Sequence, residues 1–220
     1  MREGDGNIGT LSRIRNDAGR TVGDTLAMPW SKRFDQQAVL ERALETFWAQ
    51  GYATTSIQDL VDRMGINRAS LYDTFGDKQD LFLAALRAYD ENYRVAWLGE
   101  LDGLDSPLNA LQRFFHDWVE AVEDGRTASG CFMVNTSLER APHDDAVRQQ
   151  VMSARTALTE FLRRKISEAQ AAGQVRRDLD PATTAASMVA TFMGLLVMAR
   201  TGADPAALRC TAEGALTQLA

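Results

Sequence analysis

The chain is predicted to be all-α, with about nine helices, and three features of its sequence say so. Apolar residues recur at i, i+3, i+4 and i+7 in segment after segment, the spacing that lines them up on one side of a helix. Three helix starts are marked by a capping side chain and then a proline: Ser106-Pro107, Asp180-Pro181 and Asp204-Pro205. Proline suits the first helical position because the N–H it lacks would have no partner there. Finally, no stretch of useful length alternates apolar and polar residues as a half-buried strand does, and no internal repeat is present.

Residues 1 to 30 mix Gly, Asp, Arg, Asn and Thr without a period and read as a disordered arm. Two alternatives stay open: translation could start at Met28, or arginines such as Arg13 and Arg15 could reach a minor groove. From Asp35 to Gln50, Val39, Leu40, Ala43, Leu44, Phe47 and Trp48 share one stripe, with Phe47 and Trp48 read as core, and Gly51 ends the helix. Thr55 and Ser56 then precede Gln58 and Asp59 by three positions, the spacing of a capping box. Ile57, Leu60, Val61 and Met64 make the next stripe, Gly65 stops it, and Asn67 can cap a short helix over Arg68 to Thr74. Asp77 caps a fourth helix, expected to reach about Trp97. Further helices are expected over Pro107 to Glu123, Cys131 to Arg140, Asp145 to Ala172, Pro181 to Thr201 and Pro205 to Leu219. The run Ala185 to Ala199 is apolar, but it is shorter than the roughly 18 residues of a membrane span, so it reads as a buried helix.

Two short helices around a glycine-containing turn are a helix-turn-helix, whose second helix enters a DNA major groove. Leu71 turns inward, which leaves polar groups on or near the outside of that helix. Arg68 can fork onto a guanine edge, Ser70 can touch a base, and Tyr72 and Lys78 suit phosphates. Thr55, Ser56 and Asn67, at the two helix starts, complete the expected contact set.

Gly51-Tyr52, Thr54-Thr55-Ser56-Ile57, Met64-Gly65-Ile66, Ser70-Leu71-Tyr72, Phe75-Gly76 and Asp77-Lys78 resemble the DNA-binding domain of the TetR/AcrR family of bacterial transcriptional regulators. The resemblance spans roughly residues 35 to 85 without a gap. It implies an all-helical homodimer, usually a repressor on double-stranded operator DNA. Residues 31 to 80 would read DNA, and residues 81 to 220 would hold a ligand and the dimer contact.

The body carries aromatic and Met residues of the kind that line apolar pockets: Trp97, Phe114, Trp118 and Met193, with Cys131 and Asn135 as polar company. At helical spacing the same residues also suit ordinary core, and both readings stay open. Gly130-Cys131-Phe132-Met133-Val134-Asn135 resembles a Gly-Cys-hydrophobic-x-Val-Asn segment in one branch of the family, some of whose members sense electrophiles or oxidants through a cysteine. A thiol near a helix N-terminus can ionise more easily, while the plainer alternative is a small buried hydrophobe. The small residues from 181 to 219 suit close packing across a two-fold axis, or equally a core within one chain.

Composition narrows the function less. A net charge of −6 does not announce a nucleic-acid binder, and residues 31 to 90 hold seven basic against nine acidic side chains. Specific binding would therefore depend on a local face with Lys32, Arg33, Arg68 and Lys78 rather than on bulk charge. Two distant cysteines fit a reducing cytoplasm. His116 and His143 lack metal-ligand spacing, and no nucleophile, phosphate-loop or dinucleotide pattern appears, so no metal, cofactor or enzyme activity is expected. An architectural DNA-binding protein is the nearest alternative, and an enzyme or carrier using the apolar pocket the most remote.

Overall fold

Helix ends in this protein are settled mostly by side chains that take up unpaired N-terminal amides. The computed structural model describes residues 34–125 and 130–220. The expected arm, residues 1 to 30, and Lys32 and Arg33 of the expected DNA-reading face lie outside the described residues. In α1 (Gln36–Gln50) Asp35 accepts from the amides of Gln37 and Ala38. Ser56 and Asp59 form a reciprocal capping box at α2 (Ile57–Met64). Asn67 caps α3 (Arg68–Phe75), and Asp77 with Asp80 forms a second box at α4 (Lys78–Tyr89). Each such cap stabilises its helix by about 1 kcal/mol, a large share for helices of eight residues.

The fourth helix does not stop near Trp97. It passes through a π turn, Asp90–Val95, into α5 (Ala96–Asp102) without leaving the helical region. Ser106 then caps α6 (Pro107–Glu123), and α7 (Phe132–Glu139) follows Cys131. Asp144 caps α8 (Asp145–Ala171), Asp180 caps α9 (Pro181–Arg200), and Asp204 caps α10 (Pro205–Thr217). Counting α4, the π turn and α5 as one rod, the described residues form nine α-helices, with no strand among them.

Around α1 to α4, Phe47, Leu60, Met64, Leu71, Leu81 and Phe82 are buried almost completely. A second core joins α6, α8, α9 and α10, with Phe114, Phe115, Leu162, Ile166, Met188 and Leu195 sealed from solvent. Burying each of these large side chains contributes roughly 1.5–3 kcal/mol. Residues Asp35 to Ala220 make one compact unit, because α4 packs on α1 on one side and on α7 and α8 on the other. The helix expected from the apolar run at 185 to 199 is longer than that run. Its 20 residues, of mean hydropathy 1.7, would suffice by length and composition to cross a membrane. Here Ala185, Met188, Val189, Phe192 and Leu195 of α9 are packed into the core instead.

Candidate DNA-reading face and ligand cavity

Leu71, fully buried, pins α3 to the helices beneath it and decides what the rest of α3 can offer. Arg68, Ala69, Tyr72 and Asp73 are exposed and Ser70 is half-buried. Gly65 makes the tight turn before α3 at a φ of +69°, a left-handed conformation that glycine adopts without strain. Asn67 Oδ1 accepts from the Ser70 amide at 2.8 Å, so this side chain works as a cap at the start of α3. Ser56 is exposed, but its hydroxyl is engaged with Asp59, at 3.1 Å from the amide and 2.7 Å from the carboxylate. That bond, ahead of the other influences, holds the Asp59 carboxyl below the usual carboxylate range.

Two expected contact residues are placed differently. Thr55 is only 1% exposed and its hydroxyl donates to the Gly51 carbonyl at 2.6 Å, so it belongs to the turn's interior and not to a DNA-facing surface. The one-residue offset decides this, because Ser56 and not Thr55 takes the capping position. Lys78 is half-buried, with Nζ donating to the Tyr52 carbonyl at 2.6 Å and lying 4.2 Å from the Tyr52 ring centroid. Burial, and then repulsion from Arg140, pull its ammonium below the usual lysine range. One N–H of its ammonium is therefore used within the fold.

Between α1, the α4–α5 rod and helices α6 to α9 lies a cavity of about 700 Å³, a size suited to a small molecule. Six aromatic side chains stand in its walls: Trp48, Tyr89, Tyr93, Trp97, Trp118 and Phe192. Of the expected ligand residues, Trp97, Trp118, Cys131 and Met193 line it. Phe114 and Asn135 do not. Phe114 is fully buried behind the wall, stacked on Trp97 at 4.8 Å and tilted against Phe192 at 4.6 Å, so it supports the lining rings. Asn135 sits about 100° further round α7 than Val134, which does face the cavity.

Some of the charged groups at the cavity are paired in place. Arg94 grips Asp90 through two bonds of 2.6 Å, and Arg113 reaches Asp117 at 2.8 and 3.2 Å. Cys131, half-buried, stands at the start of α7. Burial pushes its thiol up, against the pull of the Tyr89 hydroxyl and the amides of Val134 and Met133, so near neutral pH it stays protonated. Burial, then the neighbouring Cys131, also raises the Tyr89 phenol well above its usual value. Trp48 was read in sequence as core on an apolar stripe, which gave no sign that it borders a void with Tyr89 and Tyr93.

The family described as "Bacterial regulatory proteins, tetR family" matches residues 39–85, and "Tetracyclin repressor-like, C-terminal domain" matches residues 107–214. An uncharacterised HTH-type transcriptional regulator of Bacillus subtilis, YezE, is 33% identical over 79% of this chain and 90% of its own length. The HTH-type transcriptional repressor ComR of Escherichia coli is 28% identical over 79% of this chain and 83% of its own. Among solved structures, a cysteine mutant of the TetR family regulator CifR complexed with a 26-base-pair operator superposes with a TM-score of 0.74. It is 28% identical and covers 86% of this chain and 99% of that one. With these relatives, a helix-turn-helix at α2–α3 and a helical body, the chain belongs to the TetR family of bacterial transcriptional regulators, DNA-binding proteins and not enzymes.

Proposed function

We propose that this chain is a repressor that binds a palindromic double-stranded operator as a homodimer and is released when a small molecule occupies the aromatic cavity. The observation that carries the reading is α3. A buried Leu71 and an Asn67 cap hold it so that Arg68, Ser70 and Tyr72 lie on or near the outside, as groove and phosphate contacts require. Ser56 and Asn67 contribute by fixing the two helix starts, whose amides suit phosphates. The division of labour, with residues 31 to 80 reading DNA and 81 to 220 holding ligand and partner, is supported by the separate family matches at 39–85 and 107–214. The site of action is the DNA of the bacterial cytoplasm.

The dimer contact lies in residues 181–219. Ala182, Ala186, Ala190 and Gly194 are exposed on α9, and a Cβ added at Gly194 or at Gly214 of α10 would meet nothing within 4 Å. A strip of small residues lets a second copy approach closely, and two-fold symmetry matches a palindrome. Between cavity and reader, a coupling of a few kcal/mol suffices to silence binding. Thiol modification, suggested by the resemblance of Gly130–Asn135 to the cysteine-bearing branch, is the second release route. The raised Cys131 thiol leaves less thiolate for such a reaction.

Binding to the intergenic DNA upstream of the protein's own gene tests the reading by gel shift. Replacing Arg68 and Tyr72 together by Ala should abolish binding while the dimer mass and helical content stay unchanged. Retained binding would remove α3 as the reader. An electrophile that weakens binding in wild type and equally in Cys131→Ser would remove the thiol route.

A further inference from the structure

Trp48 belongs to α1, whose neighbours Leu44 and Phe47 are buried, in a helix that packs on α2 and α4 of the reader. Its own side chain turns the other way and lines the cavity. There the indole Nε1–H donates to the Gly130 carbonyl at 2.9 Å, a bond between residues 82 positions apart. Tyr89 and Tyr93 meet the indole edge-on at 5.0 and 5.5 Å. Gly130 has a φ of +68°, which suits glycine, and an added Cβ would lie 3.4 Å from the Arg200 side chain. Tyr93 stands in the π turn, a helical irregularity that is often found at functional sites.

The cavity and the reader therefore share a wall. A molecule that fills the space beside Trp48 touches α1 directly, with no intervening helix. We propose that Trp48 is the positioning residue through which cavity occupancy reaches the DNA reader, the Trp48–Gly130 hydrogen bond being the contact that an occupant displaces. The proposal rests on the repressor reading and adds its route of control. With the bond intact, α1 is tied to the rim of the cavity at Gly130. With the indole pushed aside, the tie is lost and α1 can shift together with α2, which carries α3. The α4–α5 rod also borders the cavity and is the competing route, so the test must separate Trp48 from it.

Occupancy can be fixed covalently, because Cys131 lines the same cavity and the other free thiol, Cys210, can be removed. Full-length Cys210→Ser protein is alkylated at Cys131 with monobromobimane, complete labelling being read from intact mass. Operator affinity is then measured by fluorescence anisotropy before and after, in the Trp48 protein and in Trp48→Phe. Alkylation is expected to weaken binding about tenfold with Trp48 present and less than about threefold in Trp48→Phe, within the usual range of coupling between sites. The ratio within each protein cancels any change of baseline. Equal losses in both proteins, or no loss in either, would overturn the proposal in favour of the rod or of no coupling. Failure of unmodified Cys210→Ser protein to bind any operator would count against the repressor reading instead. Should Trp48→Phe not fold, hydrogen exchange at the Trp48 indole N–H decides the matter in the Trp48 protein. It should be protected before alkylation and fast after it, and unchanged protection overturns the proposal.

Discussion

At its N-terminal end α7 meets α4 through rings, and at its C-terminal end it meets the reader through charges. Phe132 is 2% exposed and sits edge-on against Phe82 and Tyr89, both at 5.6 Å. One helix length away, Glu139 Oε1 accepts from the Ala53 amide at 3.0 Å. Arg140 donates to Gln79 at 2.9 Å and to Asp144 at 3.0 Å, and its guanidinium lies 4.4 Å from the Tyr52 ring centroid. Lys78 approaches the same ring at 4.2 Å, so two cations share one aromatic partner and repel each other. The apolar end holds free energy that salt barely touches. The charged end holds less, and what it holds can be tuned.

Phe132→Ala should give the largest effect. A fully packed aromatic side chain truncated to Ala costs about 3–5 kcal/mol. Urea unfolding would show it as a lower midpoint with an unchanged slope. A loss below about 1 kcal/mol would show that the rings around Phe132 relax into the space, and the comparison between the two ends would collapse.

Arg140→Ala should cost much less. The guanidinium is a quarter exposed, and its ring contact and ion pair together are worth about 1 kcal/mol. Part of that is offset, because the variant relieves the repulsion on Lys78. Thermal unfolding in dilute buffer and in high salt separates the two ends. The wild-type advantage over Arg140→Ala should shrink as salt screens the pair, whereas the advantage over Phe132→Ala should not change. A salt-independent difference for Arg140 would mean that its aliphatic stem, not its charge, carries the contact.

The contrast between the ends also marks what the sequence made legible. Caps and stops could be read directly, because each depends on one residue and its neighbours within a turn. Ser106, Asp180 and Asp204 all cap as expected, and α8 ends one residue before the expected Ala172. Interior against surface was readable for Leu71 and Phe47, whose stripes leave no choice. Which aromatic residues border the cavity was readable only in part. Trp48 and Phe114 sit on equally apolar stripes, and only the placement of distant helices puts one against a void and the other behind it. The π turn was hidden for a related reason, since one widened turn leaves the apolar spacing of Tyr89, Tyr93 and Trp97 nearly intact. The surroundings of Thr55 and Lys78 were not legible, because a hydroxyl or an ammonium near a helix start looks the same in sequence whether it faces DNA or folds back. Their partners, Gly51 and Tyr52, lie in a loop whose path is set by tertiary packing.

The smallest expected effect is on the alkaline limb of stability, where the two ends should pull in opposite directions. At the apolar end the thiol of Cys131 is raised above 9.0 and the phenol of Tyr89 well above 10.0, both first by burial. For an acid raised on folding, stability is fully present below the unfolded value. It is lost as pH climbs from there through the folded value, because the unfolded chain gives up its proton first. At the charged end Lys78 is lowered below 10.5. In the window just under that value the unfolded chain holds more protons than the folded one, so this group's contribution rises with pH. Melting temperatures measured from neutral pH up to the Lys78 reference value of 10.5 should therefore fall less steeply than the apolar end alone would dictate. Cys131→Ser should flatten the fall that begins near 9.0. Lys78→Met should steepen the last part, by removing the group that opposes it. If Lys78→Met leaves the slope unchanged, the Lys78 ammonium is better solvated than its bond to Tyr52 implies. The charged end would then differ from the apolar one in strength alone, and not in its response to pH.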